Sequence, residues 1–189
     1  MKIAAMVLAS GLSRRFGQDD KLLADLKGQA LLAYSLDAVR SADFENRFII
    51  CPEPDPRAIL ARNFGFNVIA NSEPEAGQGA SISLGAKYLR ANGFDAVCIL
   101  LGDMPFVTPE YLKQIQAMSG DIVFSRTNNK EQPPAIFRGD ALEILTTLSG
   151  DQGASQLDLS PFTVSNIDLP GEMEKDFDRP EDFNLNIRQ

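Results

Sequence analysis

Ile3-Ala4-Ala5-Met6-Val7-Leu8-Ala9-Ser10-Gly11-Leu12-Ser13-Arg14-Arg15-Phe16-Gly17, followed closely by Lys21, decides how the chain is read. The apolar run Ile3–Ala9 stops at a glycine-bearing turn, which describes a strand buried on both faces. Its small side chains let helices approach closely from either side. In the loop beyond it, Gly11 and Gly17 permit close backbone approach and Arg15 supplies a bidentate fork. Lys21 supplies a point charge for an α-phosphate or a leaving group. Converging N–H groups beside fixed positive charge suit the phosphates of a nucleoside triphosphate. The loop follows neither the GxxxxGK[ST] nor the GxGxxG spacing, so neither P-loop nor dinucleotide chemistry is the default reading. A solvated Gly/Arg turn is the plainer alternative.

Length and composition restrict the choices further. With 189 residues, 44% hydrophobic and 23% charged, the chain has the size and balance of a single globular domain. It contains no histidine, which excludes an imidazole general base, a His-based nucleophilic triad and a His-ligated metal. Metal chemistry would have to use carboxylates, which favours magnesium, with manganese as the alternative ion. A net charge of −8 argues against binding nucleic acid, since there is no basic excess to displace counterions. Cys51 and Cys98 are far apart in apolar segments and read as buried free thiols, consistent with a cytoplasmic protein. The N-terminus has no charged and apolar leader pattern, and no segment has the length of a membrane span.

Taken in order, the apolar periodicity predicts a short strand and turn at Leu22–Gly28 and a helix over Ala30–Ser41. It then predicts a strand at Arg47–Cys51, a helix over Pro56–Asn63 and a strand at Asn67–Ala70. The glycine-bearing loop Asn71–Ser81 leads into a helix capped by Ser81, and Asp95–Leu101 is a buried strand. Thr108-Pro109-Glu110 opens another helix with a cap and a first-turn proline. Strands at Asp121–Ser125, Pro134–Phe137 and Phe162–Ile167, and a helix over Asp140–Leu148, complete the pattern. Thr127–Pro134 is the most polar stretch and reads as a loop over the site. Strands alternating with helices imply βαβ units, hence a single α/β domain with a mostly parallel sheet and helices on both faces. Ligands of such sheets sit beyond the carboxyl ends of the strands. The Gly11–Lys21 loop, the Asn71–Ser81 loop and Asp103 all fall there.

Asp103 follows Leu100-Leu101-Gly102, so a carboxylate is delivered at a strand's mouth, with Gly102 leaving room for a ligand. Such a carboxylate suits a magnesium ion that also binds phosphates, although a turn aspartate would look the same. Asp178 belongs to a late acidic cluster with Asp176 and Asp182 and is a candidate second ligand. Glu181 and Asp182 are equally explained as acidic residues in a helix's first turn.

The stretches Val7–Gly17 with Lys21-Leu22-Leu23, Gly79-Ala80-Ser81-Ile82-Ser83-Leu84, Leu101-Gly102-Asp103-Met104-Pro105, Gly150-Asp151-Gln152-Gly153-Ala154 and Asp176–Asp182 stand in one order along the chain. In that order they resemble the nucleotidyltransferases of molybdenum cofactor maturation, most closely the cytidylyltransferase branch, with the guanylyltransferase branch a near relative. The resemblance implies a Rossmann-like fold of the nucleotide-diphospho-sugar transferase type, occupying residues 1–189 as one nucleotidyltransferase domain. It implies attack by an acceptor phosphate on the α-phosphorus of CTP, or of GTP in the near relative, with release of pyrophosphate. The acceptor would be molybdopterin, and the partners would include a molybdoenzyme or its maturation chaperone.

By position in those motifs, Leu8, Ala9, Ser10, Gly11, Ser13, Arg14, Arg15 and Gly17 would lie against the nucleotide, with Arg15 on the β- and γ-phosphates. Lys21 would stabilise charge at the α-phosphate, and Asp103 and Asp178 would ligate magnesium. Asn71, Gly79 and Ser81 would border the base and ribose, and Asp151, Gln152 and Pro134 would face the acceptor. Ser10 stands where the family usually has alanine, and Gln132 lies where it usually has glycine. A catalytically silent nucleotide-binding partner with the same fold is the competing class. It predicts loss of Lys21, Asp103 or Asp178, and all three are present.

Overall fold

A computed structural model describes residues 1–12, 16, 20–175 and 177–183. In chain order its strands and helices begin with β1 (Ile3–Leu8), the small pair β2 (Asp25–Leu26) and β3 (Gln29–Ala30), α1 (Leu31–Ser41), β4 (Asn46–Cys51) and α2 (Pro56–Asn63). They continue with β5 (Asn67–Ala70), α3 (Gln78–Ala91), β6 (Ala96–Leu101) and α4 (Pro109–Ala117). The last are β7 (Ile122–Thr127), β8 (Lys130–Arg138), α5 (Asp140–Ile144) and β9 (Val164–Asp168). Among the described residues the main sheet has seven strands in the order β5-β4-β1-β6-β8-β7-β9.

β1 is central because its alternate residues serve two cores. Ala5, Val7 and Ala9 pack on the face covered by α1, α2 and α4, whereas Ala4, Met6 and Leu8 pack under α3 and α5. Small residues make this close approach feasible. A Cβ at Gly85 in α3 would collide with the Met6 sulfur, so the helix rests directly on the strand. β4 and β6 both pair in parallel with β1, and Leu8 lies in register with Leu101. The chain leaving β1 and the chain leaving β6 therefore emerge side by side, where open α/β sheets bind ligands.

Helix starts follow the capping chemistry of their sequences. Asp55 caps α2 through Arg57 N at 2.8 Å, and Thr108 caps α4 through Tyr111 N at 3.2 Å, each with proline in the first turn. Ser81 does not cap α3. The helix begins three residues earlier, after Gly77 at φ 99°, and the Ser81 hydroxyl donates back to the Gly77 carbonyl at 3.2 Å.

The polar stretch Thr127–Pro134 is also not a loop. β7 turns at Asn128 and Asn129, with φ 48° and 63°, and returns as the nine-residue β8, with Thr127 paired to Lys130. Asparagine tolerates the left-handed region, so this pair closes a two-residue hairpin that local polarity disguised. β8 runs antiparallel to both β6 and β7, which breaks an otherwise parallel sheet. Pro133 and Pro134, which lack N–H donors, fall in the irregularity between the pairs Phe124–Ala135 and Ser125–Gln132. Ser125 stitches the irregularity shut by donating to the Pro134 carbonyl at 2.6 Å and accepting from the Tyr111 hydroxyl at 2.8 Å.

After β9, the chain crosses the α1/α4 face, burying Leu169, Met173 and Phe177. This strap carries Asp178 from the far edge of the sheet to the mouth of β6. No described helix is long and apolar enough to cross a membrane.

Candidate active site

Where β1 and β6 end, a cavity of about 430 Å³ opens, lined in part by Leu8, Ser10, Gly11, Lys21, Asp103 and Asp178. Ser81 lines it too, as do Glu75, Gly77 and Gln78 from the turn entering α3, and Asp151. Charge concentrates at one point. Lys21 Nζ donates to Asp103 Oδ2 at 2.7 Å and to Asp178 Oδ1 at 2.9 Å, with the lysine side chain 14% exposed. Burial pulls the Lys21 ammonium toward its neutral form, but the charges and hydrogen bonds of Asp103 and Asp178 outweigh it, and its pKa is raised. The three side chains come from a short turn after the first loop, from the end of β6 and from the C-terminal strap, so only the folded chain brings them together.

Gly11 has a particular place in this wall. Its φ is not in the left-handed region, and a Cβ there would meet no described atom within 4 Å. Neither strain nor packing among the described residues accounts for the glycine. What its missing side chain leaves is open backbone facing the cavity.

Other glycines answer to the protein itself. A Cβ at Gly79 would sit 2.7 Å from Gln152 O and 2.8 Å from Ser149 O, and Gly79 N donates to Gly150 O at 2.7 Å. A Cβ at Gly77 would collide with Gly150. The loop before α3 and the Gly150–Gly153 turn are therefore docked on each other, which delivers Asp151 to the cavity. Gly102 likewise makes room for the core. A Cβ there would lie 3.0 Å from Leu32 Cδ1 and 3.2 Å from Leu8 O, so the missing side chain serves packing, while the residue itself lines the cavity.

Asn71, expected beside a base, turns inward. It is buried, donates to Ser10 Oγ at 3.0 Å and to Ser81 Oγ at 3.1 Å, and accepts from Glu73 N at 3.0 Å. Ser10 completes the knot by donating to Ile50 O at 3.2 Å. This buried network ties the end of β1 to the first turn of α3. Ala9 is in the core, and Gln152 and Pro134 are not among the residues lining the cavity. Ser13, Arg14, Arg15, Gly17 and Asp176 lie outside the described residues.

Sequence reasoning also passed over Glu75 and Gln78 in the cavity wall and Arg57 beneath the first loop. In sequence Arg57 is one residue of a helix start, and only its contacts with Ala9, Gly11 and Asp20 distinguish it.

Among the described residues no group of three carboxylate, thiol or imidazole side chains converges as a self-contained metal cage. Two aspartates gathered around one cation fit a different kind of ion. Magnesium commonly takes one or two protein carboxylates and completes its shell with phosphate oxygens and water. Asp103 and Asp178, with carboxyl groups both within hydrogen-bond distance of the same ammonium, fit that donor set.

A model of the MobA-like NTP transferase domain matches residues 5–161. The chain belongs to this family. It is a nucleotidyltransferase of the MobA-like kind, and the match spans the first loop, Asp103 and the Gly150–Gly153 turn. Purine catabolism protein PucB of Bacillus subtilis is 26% identical over 198 residues, covering 97% of this chain and 95% of that protein. A probable molybdenum cofactor guanylyltransferase of Pyrococcus horikoshii is 33% identical over 118 residues, 61% of this chain and 55% of that one. The crystal structure of Rv0371c from Mycobacterium tuberculosis superposes with a TM-score of 0.80 at 25% identity, covering 97% of this chain and 96% of that one. A manganese complex of Rv0371c gives 0.77 at 22% identity, covering 97% of each chain.

Proposed function

We propose that the chain transfers CMP from CTP to the phosphate of a molybdopterin-type acceptor, with release of pyrophosphate. The observation that carries this reading is the Lys21–Asp103–Asp178 cluster at the rim of a cavity whose wall includes the open backbone of Gly11. An acceptor phosphate oxygen attacks the α-phosphorus, the bond from that phosphorus to the bridging β-oxygen breaks, and pyrophosphate carries away the electrons. Such a displacement asks a protein for positioning and charge neutralisation rather than covalent chemistry.

Gly11, Arg15 and Gly17 hold the β- and γ-phosphates, with Leu8, Ala9, Ser10, Ser13 and Arg14 shaping the same loop. Lys21 releases one of its carboxylates and turns its ammonium to the α-phosphate. Asp103 and Asp178 would hold magnesium, with manganese the alternative ion. When bound, the metal supplies positive charge at the phosphate oxygens. Gly79 and Ser81 belong to the nucleoside end of the site, where Asn71 acts through Ser10 and Ser81. Asp151, in the cavity wall, is assigned to the acceptor, together with Gln152 and Pro134.

Transfer of GMP from GTP is the second reading, favoured by the curated guanylyltransferases among the relatives. A thermal-shift panel of CTP, GTP, ATP and UTP, each with and without magnesium, separates the two. A ligand at a hundredfold over its dissociation constant adds about 2.7 kcal/mol to stability. The largest magnesium-dependent shift is expected with CTP. A larger shift with GTP would move the assignment to guanylyl transfer, and no shift with any triphosphate would overturn nucleotide transfer altogether. Asp103→Ala is expected to abolish pyrophosphate release, and retained turnover would remove Asp103 from the site.

A further inference from the structure

Arg57 is charged and its side chain is only 10% exposed. A guanidinium at that depth is costly unless acceptors and opposite charge surround it. Its partners include the chain at both described ends of the first loop, together with Asp55 at the start of its own helix. Nη1 donates to Ala9 O at 2.6 Å and to Gly11 O at 3.1 Å, where the chain is leaving β1. Nε lies 2.7 Å from Asp20 Oδ2, a charge contact where the chain comes back, and 3.3 Å from Asp55 Oδ1. One side chain thus grips both the entry and the exit of the loop that runs from residue 11 to residue 20.

We infer that Arg57 is a positioning residue for the triphosphate, tying the backbone of Ala9 and Gly11 to Asp20 and setting the starting point of Lys21. The inference rests on the nucleotide reading above and adds a residue that never faces the cavity.

The geometry supports it at each end. Registered pairing of β1 stops at Leu8, with one further bond from Ala9 N to Ile50 O at 2.8 Å. The carbonyls of Ala9 and Gly11 lie beyond that ladder, and the guanidinium satisfies both, which fixes their peptide planes. The orientation of the N–H groups in the same turn follows from those planes. At the exit, Asp20 divides its two oxygens. Oδ2 faces Arg57, and Oδ1 accepts from Leu22 N at 3.0 Å, capping the short turn Lys21–Leu23. Lys21 is the next residue after Asp20, so a fixed Asp20 fixes where the lysine side chain begins. Its reach to Asp103 at 2.7 Å depends on that origin.

A lysine at position 57 could not replace these contacts. Its ammonium is a single point, whereas the planar fork spans two carbonyls on one side and two carboxylates on the other. Pre-ordering a loop lowers the entropy that ligand binding must otherwise overcome. The effect of Arg57 should therefore appear in triphosphate affinity as well as in stability.

The test is calorimetric titration of CTP and of GTP, in magnesium, into the wild type, Arg57→Lys, Arg57→Ala and the control Arg62→Ala. Arg62 is on the same helix, exposed, and paired with Glu53. Arg57→Lys is expected to raise the triphosphate dissociation constant by about tenfold or more, since misplaced binding groups carry penalties of that size. The same variant should raise the KM for triphosphate more than it lowers kcat. Arg62→Ala should bind as the wild type does, and free guanidinium should restore part of the affinity of Arg57→Ala. If Arg57→Ala does not fold, Arg57→Lys and Arg57→Gln carry the test. A folded Arg57→Lys with unchanged affinity and KM would overturn the inference while leaving nucleotide transfer intact. A wild type that binds neither triphosphate would remove both.

Discussion

At Lys21 two effects oppose each other on one ammonium, and the outcome sets the character of the site. Burial alone would favour the neutral amine, yet Asp103 and Asp178 hold the charge in place. The thiols show the opposite balance, because burial outweighs the pull of Arg57 and Arg62 on Cys51 and of Arg138 on Cys98. Burial pushes both Cys51 and Cys98 from 9.0 up to about 12. Folded thiols that hold their protons more tightly than the unfolded chain stabilise the fold fully below pH 9.0, and that contribution is lost as pH rises toward about 12. Lys21, also raised, acts in the same direction above its ordinary 10.5. The urea midpoint should accordingly fall as pH rises from about 9 toward about 12, less steeply once both cysteines are replaced by alanine. A midpoint independent of pH over that range would contradict the burial of the thiols. Both residues were legible as buried thiols because each sits in an apolar run. Asn71 was not legible in the same way, since a polar side chain in a glycine loop has the same sequence whether it faces a ligand or a neighbouring hydroxyl.

At the scale of elements, two glycines that look alike in sequence separate cleanly. Gly79 is required by the docked Ser149–Gln152 turn, so Gly79→Ala must displace backbone and should cost about 1–3 kcal/mol in chemical denaturation. Gly11 is required by nothing described within 4 Å, so Gly11→Ala should melt as the wild type does while losing the triphosphate-induced shift. A Gly11→Ala protein that keeps the full shift would show that the open backbone is not where phosphate binds. The hairpin of β7 and β8 follows the same logic. Its polar residues suggested a loop over the site, but the left-handed Asn128-Asn129 pair closes a ladder. The helices were easier to read because caps and apolar spacing are local signals, and Asp55, Pro56, Thr108 and Pro109 act within one turn of where they stand.

For the molecule as a whole, the decisive feature is the strap after β9. Phe177 is 1% exposed and lies between Phe106, at 5.7 Å, and Phe183, at 5.2 Å, with Phe183 in turn 5.2 Å from Phe16 of the first loop. This line of rings joins the β6 exit, the C-terminal strap and the first loop, with Asp178 immediately after its most buried member. Phe177→Ala should cost about 3–5 kcal/mol by urea denaturation. It should also weaken manganese binding, measured by electron paramagnetic resonance in the presence of CTP. If manganese binding is unchanged in a folded Phe177→Ala protein, Asp178 does not depend on the strap for its position.

The sequence by itself determined the central strand, the alternation that makes the sheet mostly parallel, and the gathering of glycine, lysine and aspartate at strand ends. These are consequences of side-chain period, capping and backbone freedom, all of which act over a few residues. Tertiary structure alone decided that β8 runs antiparallel, that Gly77 and Gly79 answer to a turn some seventy residues away, and that Lys21 lies between Asp103 and Asp178. It also decided that Arg57 holds the two ends of the first loop. Such contacts join segments distant along the chain, and their energy comes from burial and paired charge that exist only once the sheet has brought those segments together.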